Sequence, residues 1–280
     1  MNKLPLHKQT LVLSCLVEGM SLRGISRLTG IHRGAVQRLL LEAGTTSERI
    51  MAEKMQWLHL HSLECDEIWS YVGKKQRNCT PEEKRGTELG DQYTFVALDQ
   101  DTKLVPAYYV GRRSIESTNE FMEILSRRVV SNVQITTDGW TPYYAAIDTT
   151  FGGRAAYSRI VKVYHDETKH EKRYSPASII DIRIEKFSTL CDPERISTSY
   201  VERQNLTMRM QMRRFTRLTN AFSKKLDNLK AAVSLHFFHY NFMRVHQTLR
   251  VTPAMEAGIA KQIMGWEMLL GETNAIKQAA

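Results

Sequence analysis

Residues 62–72 have the sequence SLECDEIWSYV, which is rich in aromatic and β-branched residues and is typical of a strand. Two more strands are predicted at Gln92–Leu98 and Leu104–Val110, joined by a turn at Asp99–Thr102. Pro106 cannot donate a hydrogen bond to a sheet ladder, so the third strand is expected at an edge. These three strands predict an antiparallel meander.

Helices and strands alternate after this meander. The apolar periodicity predicts a helix, a strand, a second helix and a further strand, in that order, at Ser117–Val130, Asn132–Thr137, Pro142–Ile147 and Ser158–Tyr164. A meander followed by crossover units predicts a mixed α/β sheet. This order is that of a ribonuclease H-like fold, which we place within residues 61–220.

A helical unit is predicted before the sheet, in residues 1–45. One amphipathic helix covers Lys8–Glu18, and Ser21 can cap a second. Gly30 then provides a tight turn into a third helix that starts at Ile31, an arrangement that matches a helix-turn-helix. The third helix would be the recognition helix, and its outward side chains could donate to phosphates and base edges: His32, Arg33, Gln37 and Arg38. The alternative is a small three-helix bundle with a basic face.

The remaining segments are also predicted to be helical. The third helix is expected to end at Gly44, and a separate polar linker helix follows within residues 46–60. Residues 221–280 are predicted to form a basic helical C-terminal region.

The charge is unevenly distributed along the chain. Its 280 residues carry a net charge of +9, with +4 in residues 1–44 and +8 in residues 200–250. Two basic regions that flank a mildly acidic middle favour a polyanionic partner such as a nucleic acid. Solvated helix faces are the alternative.

Composition argues against two other classes of protein. No apolar run approaches the roughly 18 residues that a membrane span needs. The four cysteines, Cys15, Cys65, Cys79 and Cys191, form no C-x-x-C pair, so neither a zinc ribbon nor a disulfide framework is indicated. We therefore expect a cytoplasmic protein with reduced, mostly buried thiols.

Two aspartates occupy unusual positions in the predicted strands. Asp66 lies inside the first apolar strand, where a charge is costly unless it is paired or binds a metal. Asp138 lies at the carboxyl end of a strand, where ligand sites of α/β sheets gather. Each could be a cap or a hydrogen-bonded core acid. In adjacent central strands, however, the two could coordinate one cation.

A third carboxylate lies in a long basic helix predicted over Ser197–Arg217. Glu202 is the only acidic residue between Arg195 and Asp227. Asn205 follows it by three positions and Arg209 by seven, which places all three near one face of the helix. The alternative to a functional role is an ordinary ion pair on the helix surface.

Three sequence blocks together resemble the bacterial insertion-sequence-one transposase family. They are DEIWSYVG at residues 66–73, TDGW at 137–140 and YVERQNL at 200–206. The segments AFSKK at 221–225 and NFMRVHQTL at 241–249 fit the carboxyl region of the same family. The resemblance covers roughly residues 62–255, and the three blocks together are far more specific than any one of them.

The resemblance implies a DDE transposase with a ribonuclease H-like core. Such a core holds two divalent metal ions on Asp66, Asp138 and Glu202, with Mg²⁺ expected and Mn²⁺ able to substitute. Arg209 matches the basic residue that often follows the glutamate by seven positions, and Asn205 and Trp140 would support the site. The chain departs from the family in two respects. It has no cysteines for an amino-terminal zinc ribbon, and the long Asp138–Glu202 separation implies an insertion near residues 165–190.

The implied activity is cleavage at the ends of an insertion sequence and strand transfer into target double-stranded DNA. The helix-turn-helix would hold terminal inverted repeats, and basic residues of the C-terminal half would hold flanking and target phosphates: Arg203, Arg213, Arg214, Arg217, Lys224 and Lys225. A dimer or larger oligomer on DNA, at the bacterial nucleoid, is expected. The alternatives are a DNA-binding regulator with a ligand-sensing α/β domain, a structure-selective nuclease of the same fold, and an inactive copy of the element.

Overall fold

The computed structural model describes residues 4–164, 179–216 and 219–279, and side chains as far as residue 274. Six strands form one sheet: β1 Ser62–Val72, β2 Gly90–Asp99, β3 Ala107–Gly111, β4 Val133–Thr137, β5 Ala155–Tyr164 and β6 Ile179–Lys186. The described α-helices are α1 Leu6–Val17, α2 Leu22–Thr29, α3 Arg33–Lys54, α4 Pro81–Gly86, α5 Ile115–Arg128, α6 Pro142–Phe151, α7 Ser199–Gln211, α8 Leu226–Phe238, α9 Pro253–Glu256 and α10 Trp266–Ala279. In this part of the chain, no helix has both the length and the apolar character to cross a membrane.

The sheet is mixed, and its strand order is β3-β2-β1-β4-β5-β6. Strands β1, β2 and β3 form the predicted antiparallel meander, and β4 runs parallel to both β1 and β5. This arrangement is consistent with the predicted ribonuclease H-like core. Strand β6, antiparallel to β5, was not predicted, because its residues lie in the segment interpreted as an insertion near 165–190. The rest of that segment, residues 165–178, lies outside the described residues.

Aromatic contacts show how helices cover both faces of the sheet. On one face, Phe95 of β2 packs against Phe121 of α5, with 5.7 Å between the ring centroids. On the other, Tyr108 of β3 stacks on Phe237 of α8 at 4.8 Å. Because successive side chains of a strand point to opposite faces, each strand contributes to two cores. The sheet therefore lies between two layers of helices, with α5 on one face and α8 on the other.

The edge position predicted for β3 is correct, but the strand is shorter than expected. It begins at Ala107 rather than Leu104. Pro106 has no N–H to donate to β2. Before it, the N–H and C=O of Val105 both bond the buried Asn241 amide, each at 3.0 Å. The Asn241 side chain thus replaces the first backbone hydrogen bonds that were expected between this strand and β2.

The predicted turn between α2 and α3 is present. Ser21 caps α2 by accepting a hydrogen bond from the Gly24 N–H at 3.0 Å, and Gly30 ends that helix at φ +68°. The expected break at Gly44 is wrong, because α3 is one helix of 22 residues that also includes most of the predicted linker helix. Gly44 instead allows close packing, since an added Cβ would lie 2.4 Å from the carbonyl oxygen of Ala231 in α8.

Candidate active site

The sheet opens into a pocket where β4 ends. Thr137, the last residue of β4, is level with Cys65 of β1 and Arg159 of β5, and both outer strands continue beyond it. The space left between β1 and β5 is a cavity of about 410 Å³. It is lined by Asp66, Arg113, Asp138, Gly139, Ile160, Val161, Lys162, Thr198 and Glu202. The three carboxylates that the sequence singled out therefore meet in one pocket.

Asp66 lies on β1 and is held by two hydrogen bonds. Its Oδ1 accepts from the backbone N–H of Glu67 at 2.8 Å, and its Oδ2 accepts from Nδ2 of Asn205 at 2.8 Å. Burial, together with the nearby Asp138 carboxylate, raises the pKa of Asp66 to about 7. Asn205, predicted as a supporting residue on the Glu202 face of its helix, thus orients the first aspartate.

Asp138 follows β4 directly and faces Asp66 across the pocket. Its Oδ1 accepts from the backbone N–H of Trp140 at 3.0 Å. Its Oδ2 lies 3.5 Å from a guanidinium nitrogen of Arg113. Burial is the main cause that raises the pKa of Asp138. The backbone turn at residues 138–140 therefore fixes the carboxylate at the end of the strand.

Glu67 is a further acidic residue beside Asp66 and Asp138, and it was not predicted as a site residue. One carboxylate oxygen from each of Asp66, Glu67 and Asp138 can be chosen so that all three lie within 4.8 Å of one another. The Glu67 side chain is 2% exposed, and burial followed by the charge of Asp138 raises its pKa to about 8. A signal was present, because Asp66-Glu67 places two consecutive acids in an apolar strand.

Glu202 lies at the rim of the pocket, outside this tight cluster. Its Oε1 pairs with Nζ of Lys162 and accepts a hydrogen bond from Oγ1 of Thr198 at 2.7 Å. The buried Glu64 positions the start of α7, because its Oε2 accepts from the N–H of Val201 at 2.9 Å. Neither Glu64 nor Lys162 carries a motif that identifies it in the sequence.

The guanidinium group of Arg113 connects the acidic residues of the pocket to the ring of Trp140. Its guanidinium lies 3.2 Å from Oε2 of Glu67 and 4.3 Å from the centroid of the Trp140 ring. Trp140 is itself anchored, since its Nε1 donates to Oγ1 of Thr118 at 3.0 Å. Arg209, two helical turns beyond Glu202, is not among the described residues that line the pocket.

The side chains predicted to contact DNA differ in their accessibility. Most are exposed: His32, Arg33, Arg38, Arg203, Arg213, Lys224 and Lys225. Gln37 donates from Nε2 to Oδ1 of Asn228 at 3.2 Å and so faces α8 rather than solvent. Arg214 donates to Oγ of Ser223 at 2.8 Å, and burial lowers its pKa to about 10. Arg217 lies outside the described residues.

The donor set of the pocket suits a divalent cation. It offers carboxylate oxygens from Asp66, Glu67, Asp138 and Glu202, which are the hard ligands that Mg²⁺ and Mn²⁺ accept. Three of these acids have raised pKa values, chiefly because they are buried and, for Asp66 and Glu67, also because of the nearby Asp138 carboxylate. A bound cation would favour their charged forms, and the residues present therefore fit one.

No protein-family model and no curated protein sequence matches this chain. Among solved structures, the chain is similar to a piggyBac transposase synaptic complex with hairpin DNA, at 10% identity and a TM-score of 0.43, over 96% of this chain and 69% of that one. It is also similar to the Mos1 strand transfer complex, at 15% identity and a TM-score of 0.22, over 56% of this chain and 59% of that one. A Mos1 transposase paired-end complex with the left transposon end is similar at 14% identity and a TM-score of 0.20, over 53% of this chain and 58% of that one. The chain thus matches less than two thirds of the Mos1 chains. These similarities are distant, and we base the function on the residues of this chain.

Proposed function

We propose that this protein is a DNA transposase of the DDE class, which cuts the ends of an insertion sequence and joins them to target double-stranded DNA. One observation carries the proposal: Asp66, Asp138 and Glu202 come from three separate sequence blocks and line the same pocket. Those blocks are the ones that resemble the insertion-sequence-one family.

The pocket would hold divalent cations, Mg²⁺ with Mn²⁺ as a substitute, and two ions are expected. Asp66, Asp138 and Glu202 would be their ligands, with Glu67 close enough to contribute. Bound there, such ions lower the pKa of an attacking water or 3′-hydroxyl and offset charge on the phosphate. Asn205 and the Trp140 N–H orient two of the carboxylates before any ion arrives.

The cationic side chains of the pocket would hold the phosphate that reacts. Arg113 and Lys162 each pair with carboxylates of this site. When those carboxylates bind cations, the same guanidinium and ammonium groups become available to phosphate oxygens. In strand transfer, the 3′-oxygen of the element bonds to a target phosphorus as the target's own 3′-oxygen leaves. One phosphodiester forms as one breaks, so no external energy is needed.

DNA would extend from the pocket along the basic surfaces. Exposed residues of α3 would contact the terminal inverted repeat, and the exposed basic residues after Glu202 would contact flanking and target phosphates. Transposition joins two ends, so the active form would contain at least two copies of the chain. Its place would be the bacterial cytoplasm, at the nucleoid.

The decisive test is strand transfer in Mg²⁺ with labelled duplex from the element's own end and a plasmid target. The wild type should give joined product, and Glu202→Gln should reduce its yield by at least about 10²-fold. Glu123→Gln is the matched control, because Glu123 forms an exposed ion pair on α5 away from the pocket. It should leave the yield unchanged.

The other outcomes of this assay would point to different functions. Cleavage without joining would replace the proposal with a structure-selective nuclease. DNA binding with neither product in the wild type, despite a paired-end complex, would indicate a regulator or an inactive copy. Full activity of Glu202→Gln would remove this residue from the site.

Arg113 provides a second test of the same pocket. Because its guanidinium contacts Glu67, Asp138 and Trp140, we expect Arg113→Gln to lower the rate of strand transfer about 10- to 100-fold. The effect should appear in the rate of joining at saturating DNA, with little change in DNA affinity. Arg127→Gln, an exposed arginine of α5, serves as the control. An equal loss of rate in both variants, or a loss of DNA binding alone, would contradict this role for Arg113.

A further inference from the structure

Strand β6 presents an apolar edge at the end of the sheet. It pairs with β5 on one side, and among the described residues no strand pairs with its other side. Four of its isoleucines are exposed: Ile179 at 47%, Ile180 at 60%, Ile182 at 54% and Ile184 at 52%. A long edge strand of this kind is a template for pairing with another chain unless something covers it.

The sequence of β6 alternates apolar and charged residues, IIDIRIEK over residues 179–186. Because side chains alternate across a strand, Ile180, Ile182 and Ile184 share one face. Asp181 and Arg183 share the other. Such a strand cannot bury its isoleucines against β5 alone, since β5 lies beside it and not over it.

The strand is complementary to itself when two copies run antiparallel with Ile182 opposite Ile182. In this register, Asp181 of each copy faces Arg183 of the other, and Ile180 faces Ile184. A register centred on Asp181 or on Arg183 places that charge opposite its own copy. A register shifted by a single residue places isoleucines opposite charges. Charge and apolarity together therefore select one alignment.

We propose that β6 is an interface between two copies of this chain, paired antiparallel about a two-fold axis at Ile182. The pairing would join two six-stranded sheets into one continuous sheet. Each copy would gain main-chain hydrogen bonds at its open edge and contacts between isoleucines. Asp181 and Arg183 already form an exposed ion pair within the strand, with 3.2 Å between Oδ2 and Nε, and pairing would add the same charge contact between strands. This inference does not depend on the proposed function.

The interface would also set the relation between the two pockets. Lys162 of the pocket is directly opposite Ile182 in the β5–β6 pair. The two Lys162 residues would therefore lie in one row across four strands, about 14 Å apart at a strand spacing of roughly 4.8 Å. A two-fold axis perpendicular to a sheet keeps equivalent faces on the same side. Both Lys162 side chains would thus lie on the same side of the joined sheet.

Charge reversal tests the register in the full-length protein. We expect sedimentation equilibrium without DNA to show a dimer for the wild type, and Asp181→Arg or Arg183→Asp to weaken it by roughly tenfold or more. The double variant Asp181→Arg/Arg183→Asp restores both ion pairs and should return the dissociation constant to within about threefold of wild type. Recovery in the double variant also excludes a failure to fold as the cause.

Disulfide formation gives a second measure that does not depend on affinity. Ile182→Cys should form an intermolecular disulfide on mild oxidation, because its copies face each other across the axis. Ile179→Cys is equally exposed and on the same strand, but its two copies would be far apart, so it should form none. The native cysteines are all buried, which keeps the background low.

Three outcomes would overturn the interface. One is a dimer that neither charge reversal weakens. The second is a wild type that stays monomeric, together with an Ile182→Cys variant that forms no intermolecular disulfide. The third is charge-reversal variants that lose DNA binding at an unchanged oligomeric state, which would assign the surface to DNA. None of these results bears on strand transfer chemistry, so failure of the interface and failure of the proposed function are distinguishable.

Discussion

Replacing Asp66 by asparagine is expected to abolish strand transfer in Mg²⁺, with a loss of at least about 10³-fold. One carboxylate oxygen of Asp66 lies within 4.8 Å of oxygens of Glu67 and Asp138, and its two oxygens are already oriented by the Glu67 N–H and by Asn205. Asparagine keeps the shape of the side chain but removes the charge that holds a cation. The measurement is joined product per unit time at saturating DNA, beside Asp148→Asn as an exposed control on α6.

The same substitution should have a second signature in thermal unfolding. In chelator, Asp66→Asn should be at least as stable as the wild type, because it removes a carboxylate whose pKa is raised first by burial and then by the charge of Asp138. Adding Mn²⁺ at about 100 times its dissociation constant should stabilise the wild type by about 2.7 kcal/mol and leave the variant nearly unchanged. Retained joining, or an equal response to Mn²⁺ in both proteins, would remove Asp66 from the metal site.

Replacing Gly44 by alanine is expected to lower the free energy of unfolding by about 2–4 kcal/mol. The new Cβ would lie 2.4 Å from the carbonyl oxygen of Ala231 and 2.6 Å from its Cα. These are backbone atoms of α8, so the clash is relieved only by separating two buried helices. Urea denaturation of the full-length protein measures the loss.

Gly271→Ala is the matched control for Gly44→Ala. Gly271 also lies within a helix, α10, but nothing lies within 4 Å of the position of an added Cβ. There alanine should stabilise the protein by roughly 0.5–1 kcal/mol through its higher helix propensity. Adding Ala231→Gly to Gly44→Ala should recover part of the loss, since one of the clashing atoms is the Ala231 Cβ. A Gly44→Ala variant within about 0.5 kcal/mol of wild type would contradict close packing at this site.

Local patterns in the sequence were sufficient for much of the fold. The β-branched and aromatic runs predicted five of the six strands, and Pro106 correctly indicated the edge strand because a missing N–H is a property of one residue. The cap at Ser21 and the turn at Gly30 were also predictable, because each depends on the properties of a single residue. The alternation of isoleucine with charge in β6 was also a strand signal, and it was missed because its segment was interpreted as an insertion.

The carboxylates were predictable as candidates, and so was the proximity of Asp66 and Asp138 in adjacent strands, but the contacts that orient them were not. Asp66 and Asp138 stood out because a charge in or beside an apolar strand is costly. Glu64 and Glu67 lie in the same apolar strand as Asp66 but were not singled out, and Arg113 and Lys162 gave no local signal. The role of each depends on a partner distant in sequence.

The sequence by itself determined most of the strands and helices, where the sheet has an edge, and which three acids to suspect. Those properties follow from side-chain shape, periodicity and missing donors, which act within a few residues. Tertiary structure alone decided that Gly44 separates two helix backbones rather than ending a helix. It also decided that β4 stops short of β1 and β5, so that carboxylates and cations from five segments share one pocket. Such contacts depend on how segments that are far apart in sequence are brought together, and no local sequence pattern encodes their separation in space.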